Sequence, residues 1–74
     1  MSRHLEYPNA LIAERIQEVF YANDLSDKVV AQKVGLERKT ILSYRQGNTN
    51  PSIKFIRWIC STYKISANWL LSID

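Results

Sequence analysis

Apolar residues recur along this chain with the period of amphipathic helices, in short blocks separated by turn-forming residues. The first block places Ile12, Ile16, Val19 and Phe20 at i, i+4, i+7 and i+8, which predicts a helix starting after Asn9 with that stripe facing a core. Asn23 and Asp24, residues that tolerate left-handed geometry, stop it and let Leu25 drop inward. The second block buries Val30, Ala31 and Val34 in a helix from Asp27 to Val34, with Ser26 as N-cap and Gly35 as stop; Lys28, Gln32 and Lys33 face solvent. Val29 falls off the apolar face of that helix. The third runs from Arg38 to Gln46, with Ile41 and Tyr44 inward, Arg38, Lys39 and Ser43 outward, Glu37 as a poor N-cap and Gly47 as stop.

The fourth block, from Ser52 to Tyr63, is expected to turn Ile53, Ile56, Ile59, Cys60 and Tyr63 towards the core, with Phe55 widening the stripe and Trp58 at its edge. A fifth helix follows Ser66. It holds Ala67, Trp69, Leu70, Leu71 and Ile73, more apolar surface than closing the core requires, so Ala67, Trp69, Leu70 and Ile73 are expected to form a dimer patch. Residues 1–8 show no periodicity and read as an arm; residues 9–74 read as one all-α domain. Arg3 and His4 lie in that arm, His4 as a solvated side chain with no Cys or Asp nearby.

The spacing of Ala31, Gly35 and Ile41 joins the second and third blocks into one unit. Two helices crossing at about 90–120° over a short turn need a small residue at their approach and one free to take positive φ at the corner. An apolar residue must then lock the second helix down. This is the pattern of a helix-turn-helix, and its outward side is basic.

Composition sharpens the reading through the distribution of charge. The formal charge is +3 over 74 residues, but residues 1–25 carry −2, residues 26–50 carry +3 and residues 51–74 carry +2. A basic face on and after the helix pair is the footprint of a polyanion partner. Cys60 is the one cysteine and reads as a small core hydrophobe. No apolar run is long enough to cross a membrane and no signal peptide is visible, so the cytoplasm is the expected compartment. With one histidine, no Cys/His cluster of metal spacing and no Gly-rich phosphate loop, neither catalysis nor a metal or cofactor is expected.

These residues together resemble the phage repressor and Cro type of helix-turn-helix domain, also called the Xre type. The resemblance covers about Arg15 to Leu71. It rests on Leu25-Ser26, the Ala31, Gly35 and Ile41 spacing, Gly47 with Asn50-Pro51, and the run from Ile65 to Leu71. It implies a five-helix bundle of the lambda-repressor-like kind and a transcriptional regulator, a repressor in the first instance, that reads a palindromic operator as a homodimer. Under it, Arg38, Lys39 and Ser43 read bases in the major groove. Lys28, Thr40, Tyr44, Asn48, Thr49 and Asn50 hold phosphate. The chemistry of these residue types agrees: Arg matches the O6 and N7 acceptors of guanine, and short hydroxyl and amide side chains bind backbone oxygens. The alternative is an antitoxin or adaptor module that binds a partner protein through Trp58 or the fifth helix.

Three departures from the family pattern stand out, over four positions. Asp27 stands where Gln often touches phosphate. Phe20 and Arg45 stand where a helix 1 Arg often pairs with a helix 3 Glu, which leaves Arg45 open to solvent, phosphate or a carboxylate such as Glu18. Lys64 stands where a glycine usually ends the fourth helix.

Overall fold

Helix α1, Ala10–Ala22, buries Ala13, Ile16, Val19 and Phe20 along one side. The computed structural model describes residues 10–73, and among them the chain forms five α-helices and no strand. The arm at residues 1–8, with Arg3 and His4, and the Asn9 cap lie outside the described residues. At the far end of α1 the Asn23 side chain donates to the Val19 carbonyl at 2.9 Å, and Asp24 takes φ 54°. The backbone N–H of Leu25 then donates to the Phe20 carbonyl at 2.9 Å, which turns Leu25 onto the core.

Helix α2, Asp27–Val34, is bounded by two local signals. Ser26 accepts the N–H of Val29, satisfying one of the free donors at the helix start, and Gly35 ends the helix at φ 79°. The exposed side chain of Val29 has no explanation in the structure. A three-residue corner, Gly35 to Glu37, leads into α3, Arg38–Gln46, whose N-cap Glu37 makes no side-chain capping bond. Ile41 and Tyr44 are its buried residues, and Gly47 closes it at φ 79°.

Helix α4, Ile53–Tyr63, starts on Ser52, which accepts the N–H of Phe55. Its inner face differs from the expected stripe. Phe55 and Ile59 are fully buried, Ile56, Cys60 and Tyr63 are half-buried, and Ile53 is 72% exposed. Two residues before Phe55, Ile53 lies about 160° away from it around an α-helix, so once Phe55 enters the core Ile53 must leave it. Lys64 ends α4 in the left-handed conformation, φ 57° and ψ 49°, at a steric cost of about 1–2 kcal/mol that glycine would not incur. The last helix, α5, is Ala67–Leu70 and is capped by Ser66.

The helices close on one apolar centre. α2 lies against α3 and α4, and α1 lies across α3 and receives α5. Ile16, Val30, Ile41, Phe55, Ile59 and Leu70 have no exposed surface. Leu70, expected on a dimer patch, is therefore a core residue: α5 is one turn long, and the side that meets α1 is the side that carries Leu70. The Tyr44 and Phe55 rings meet edge-on at 5.0 Å, and Trp58 lies between Phe55 and Tyr63 at 6.3 and 5.7 Å. Among the described residues no helix is long and apolar enough to cross a membrane.

Candidate nucleic-acid interface

The burial of Ile41 and Tyr44 fixes the rotation of α3, and its remaining residues face outward or sideways. Arg38 and Lys39, in its first turn, are exposed, as is Lys28 on α2. Lys39 stands 3.7 Å from the Glu37 carboxylate, with the two side chains 87% and 73% exposed. A pair so open to water contributes little, so Lys39 can exchange Glu37 for another anion at small cost.

Ser43 and Thr40 are half-buried at the edges of this face. The Ser43 hydroxyl shares a 3.0 Å hydrogen bond with that of Thr49, and the Ser43 carbonyl accepts the N–H of Asn48, also at 3.0 Å. Ser43 thus ties the end of α3 to the exposed loop Asn48–Asn50, and the Asn48 side chain donates to Gln46 at 3.1 Å. The structure brings Arg38, Lys39, Ser43 and the loop onto α3 and its C-terminal continuation. Tyr44 does not join them. It is 5% exposed and its hydroxyl oxygen accepts the backbone N–H of Ser52, so it anchors the start of α4 from inside. Its expected phosphate contact gives way to that role, because a ring packed on Phe55 has withdrawn from the surface.

Of the partners open to Arg45 in the sequence, a carboxylate is the one it meets. Its guanidinium donates to Asp27 Oδ1 at 2.7 Å and to Gln17 Oε1 at 3.1 Å, and it lies 5.0 Å from the centroid of the Phe20 ring. Gln17 Nε2 returns a bond to the Arg45 carbonyl at 3.4 Å. Phe20, Asp27 and Arg45 are therefore one arrangement: an α3 cation held by an α2 carboxylate over an α1 ring. Glu18 is not the partner. Asp27 is neutralised by this pairing, so it does not present a free negative charge beside the basic face. The sequence leaves several partners open to Arg45; Asp27 lies 18 residues away, and only packing identifies it.

With side-chain exposures of 28% and 15%, the pair lies between a surface and a buried ion pair. A double-mutant cycle with Arg45→Met and Asp27→Asn, followed by urea denaturation, is expected to give a coupling of about 1–3 kcal/mol, between the values for exposed and buried pairs. A coupling under about 0.5 kcal/mol would place it with ordinary surface pairs.

Between α1 and α5, Arg15 lies over the Trp69 ring at 5.1 Å and donates to the Trp69 carbonyl. Trp69 is half-buried, whereas Ala67 is exposed and Ile73 is 67% exposed. Beside them an open groove of about 460 Å³ is lined by Val19, Ala22, Tyr63, Ile65 and Trp69, with Glu18, Asn23, Lys64 and Ser66 at its polar positions. Burial pushes the Cys60 thiol up from its ordinary pKa, which keeps it protonated and weakly nucleophilic. Among the described residues no group of His, Cys, Asp or Glu is placed to hold a metal ion. A comparison with family models, curated proteins and solved structures finds no match to this chain.

Proposed function

We propose that this protein is a sequence-specific DNA-binding regulator of the lambda-repressor-like type, with α2 and α3 forming a helix-turn-helix that lays α3 in the major groove. The observation that carries the reading is the outward face of α3. Arg38 and Lys39 project from its first turn, Lys28 stands on α2, and the Asn48–Asn50 loop continues the same surface. An α-helix fits the major groove, a first-turn Arg suits the paired acceptors of guanine, and lysines and loop amides suit phosphate. The Arg45–Asp27 pair supports the reading by removing the acidic charge that would oppose it. A second copy pairing through Ala67, Ile73 and the edge of Trp69 would present two such helices to half-sites about 34 Å apart, or a multiple of that spacing.

The groove beside Trp69 favours a second reading, a module that binds a partner protein through apolar surface. One experiment separates the two. Selection of bound duplexes from a random pool, followed by titration of the winner across salt concentrations, is expected to show log affinity falling with log salt by about 0.9 for each phosphate contact. A flat salt response, or no binding at low salt, overturns the DNA reading in favour of the protein partner.

A further inference from the structure

The exposed face of α3 holds one large apolar side chain among its polar ones. Leu42 is 41% exposed, on a helix whose other large apolar residues, Ile41 and Tyr44, are buried. At 3.6 residues per turn it falls between Arg38 and Lys39 around the helix axis, one turn beyond Arg38. The three side chains line one open concavity of about 530 Å³, together with Asp27 and Glu37. Both carboxylates already face a cation there, Asp27 at 2.7 Å from Arg45 and Glu37 at 3.7 Å from Lys39. What remains unmatched is an apolar side chain flanked by positive charge.

A polyanion whose accessible edge carries an isolated apolar group is complementary to that arrangement. The major-groove edge of DNA has one such group, the C5-methyl of thymine, and 5-methylcytosine carries the same methyl at the same carbon. Leu42 neither donates nor accepts a hydrogen bond. A purine held against it would have polar edge atoms desolvated without a partner, and an unmethylated cytosine would offer only a hydrogen where the methyl packs, so the side chain selects against those bases as well as for the methyl.

We propose that Leu42 is a specificity-determining residue that packs on the C5-methyl group of a pyrimidine in the half-site read by Arg38, an assignment that rests on α3 occupying the major groove. Arg38 and Leu42 then read neighbouring features of one half-site, one by hydrogen bonds and one by apolar contact.

The test uses the full chain, wild type and Leu42→Ala, titrated by fluorescence anisotropy against the duplex selected from the random pool. Each thymine of the half-site is replaced in turn by deoxyuridine, which deletes the methyl and nothing else. In a parallel arm the T·A pair at the responding position becomes C·G, with and without the cytosine 5-methyl. One position per half-site is expected to lose about fourfold in wild-type affinity on the change to deoxyuridine, the value of one buried methyl. Leu42→Ala is expected to bind the thymine and deoxyuridine duplexes equally, with its helical content checked by circular dichroism. Recovery of affinity on methylating the C·G pair extends the ligand to 5-methylcytosine; no recovery assigns it to thymine alone.

Three results would overturn the proposal. One is a half-site in which no thymine responds to loss of its methyl. Another is a methyl response that Leu42→Ala retains in full. In both, salt-dependent binding by the wild type would leave the DNA reading standing. The third is failure of the wild type to bind any duplex at low salt, which overturns both readings together.

Discussion

Replacing Phe55 by alanine is expected to destabilise the domain by about 3–5 kcal/mol, the range for removing a large aromatic from a packed core. Phe55 has no exposed surface, meets Tyr44 edge-on at 5.0 Å and lies 6.3 Å from Trp58. Its loss opens a void between α3 and α4 and removes the ring that holds Tyr44. A chain of 74 residues has roughly 4–11 kcal/mol of stability in total, so this one substitution removes a large share of it. Urea denaturation of the wild type, Phe55→Ala and Ile53→Ala measures the effect. Ile53 is 72% exposed on the same helix, and its truncation is expected to change stability by less than about 0.5 kcal/mol. Comparable losses in the two variants would mean that α4 is rotated relative to the arrangement described. α3 meets α4 through the Tyr44 and Phe55 rings, and the Tyr44 hydroxyl fixes the start of α4 through Ser52.

The second large effect is expected at Arg38. Under the DNA-binding reading proposed above, its conversion to alanine is expected to remove a bidentate contact to guanine, with a loss of about 1–3 kcal/mol at one base pair, or roughly 5- to 150-fold in discrimination. Selection from a random pool should then return the same site with that one position relaxed. Lys28→Ala is the contrast. An exposed lysine on α2 that meets phosphate should weaken all sequences alike and lower the salt slope by about one. An unchanged site preference in Arg38→Ala would show that the first turn of α3 does not read bases. Arg38 makes no side-chain hydrogen bond among the described residues, so its removal leaves the fold as it is and the binding change can be read without correction for unfolding.

The outcomes at Ile53, Leu70 and Arg45 share one cause. Ile53 and Phe55 are both apolar and both near the start of α4, and a stripe drawn at helical spacing accommodates either. What excludes Ile53 is the position of Tyr44, contributed by a different helix. Leu70 and Ile73 likewise look equivalent along the chain, yet α1 meets one and leaves the other 67% exposed. Along the chain, Arg45 is open to solvent, phosphate or a carboxylate such as Glu18. The choice of Asp27 depends on how α2 crosses α3, a crossing that also sets Phe20 beneath the guanidinium. Leu42 shows the converse: next to Ile41 and Tyr44 its apolar character suits the core, yet the rotation of α3 that buries those two leaves Leu42 41% exposed.

Determined by sequence alone were the features that act within a few residues. Ser26, Ser52 and Ser66 start helices by accepting backbone N–H groups three residues on, and Gly35 and Gly47 end them by taking positive φ. The bounds of α2 and the end of α3 follow from these signals and are as expected, as is the all-helical architecture. Decided only by the tertiary structure were the partners of residues that had several open to them: Phe55 over Ile53, Leu70 inward, Tyr44 on Ser52, Asp27 for Arg45. The physical reason is range. A cap or a left-handed stop is complete once its own turn is formed, whereas burial and ion pairing depend on which surface another helix brings within contact distance.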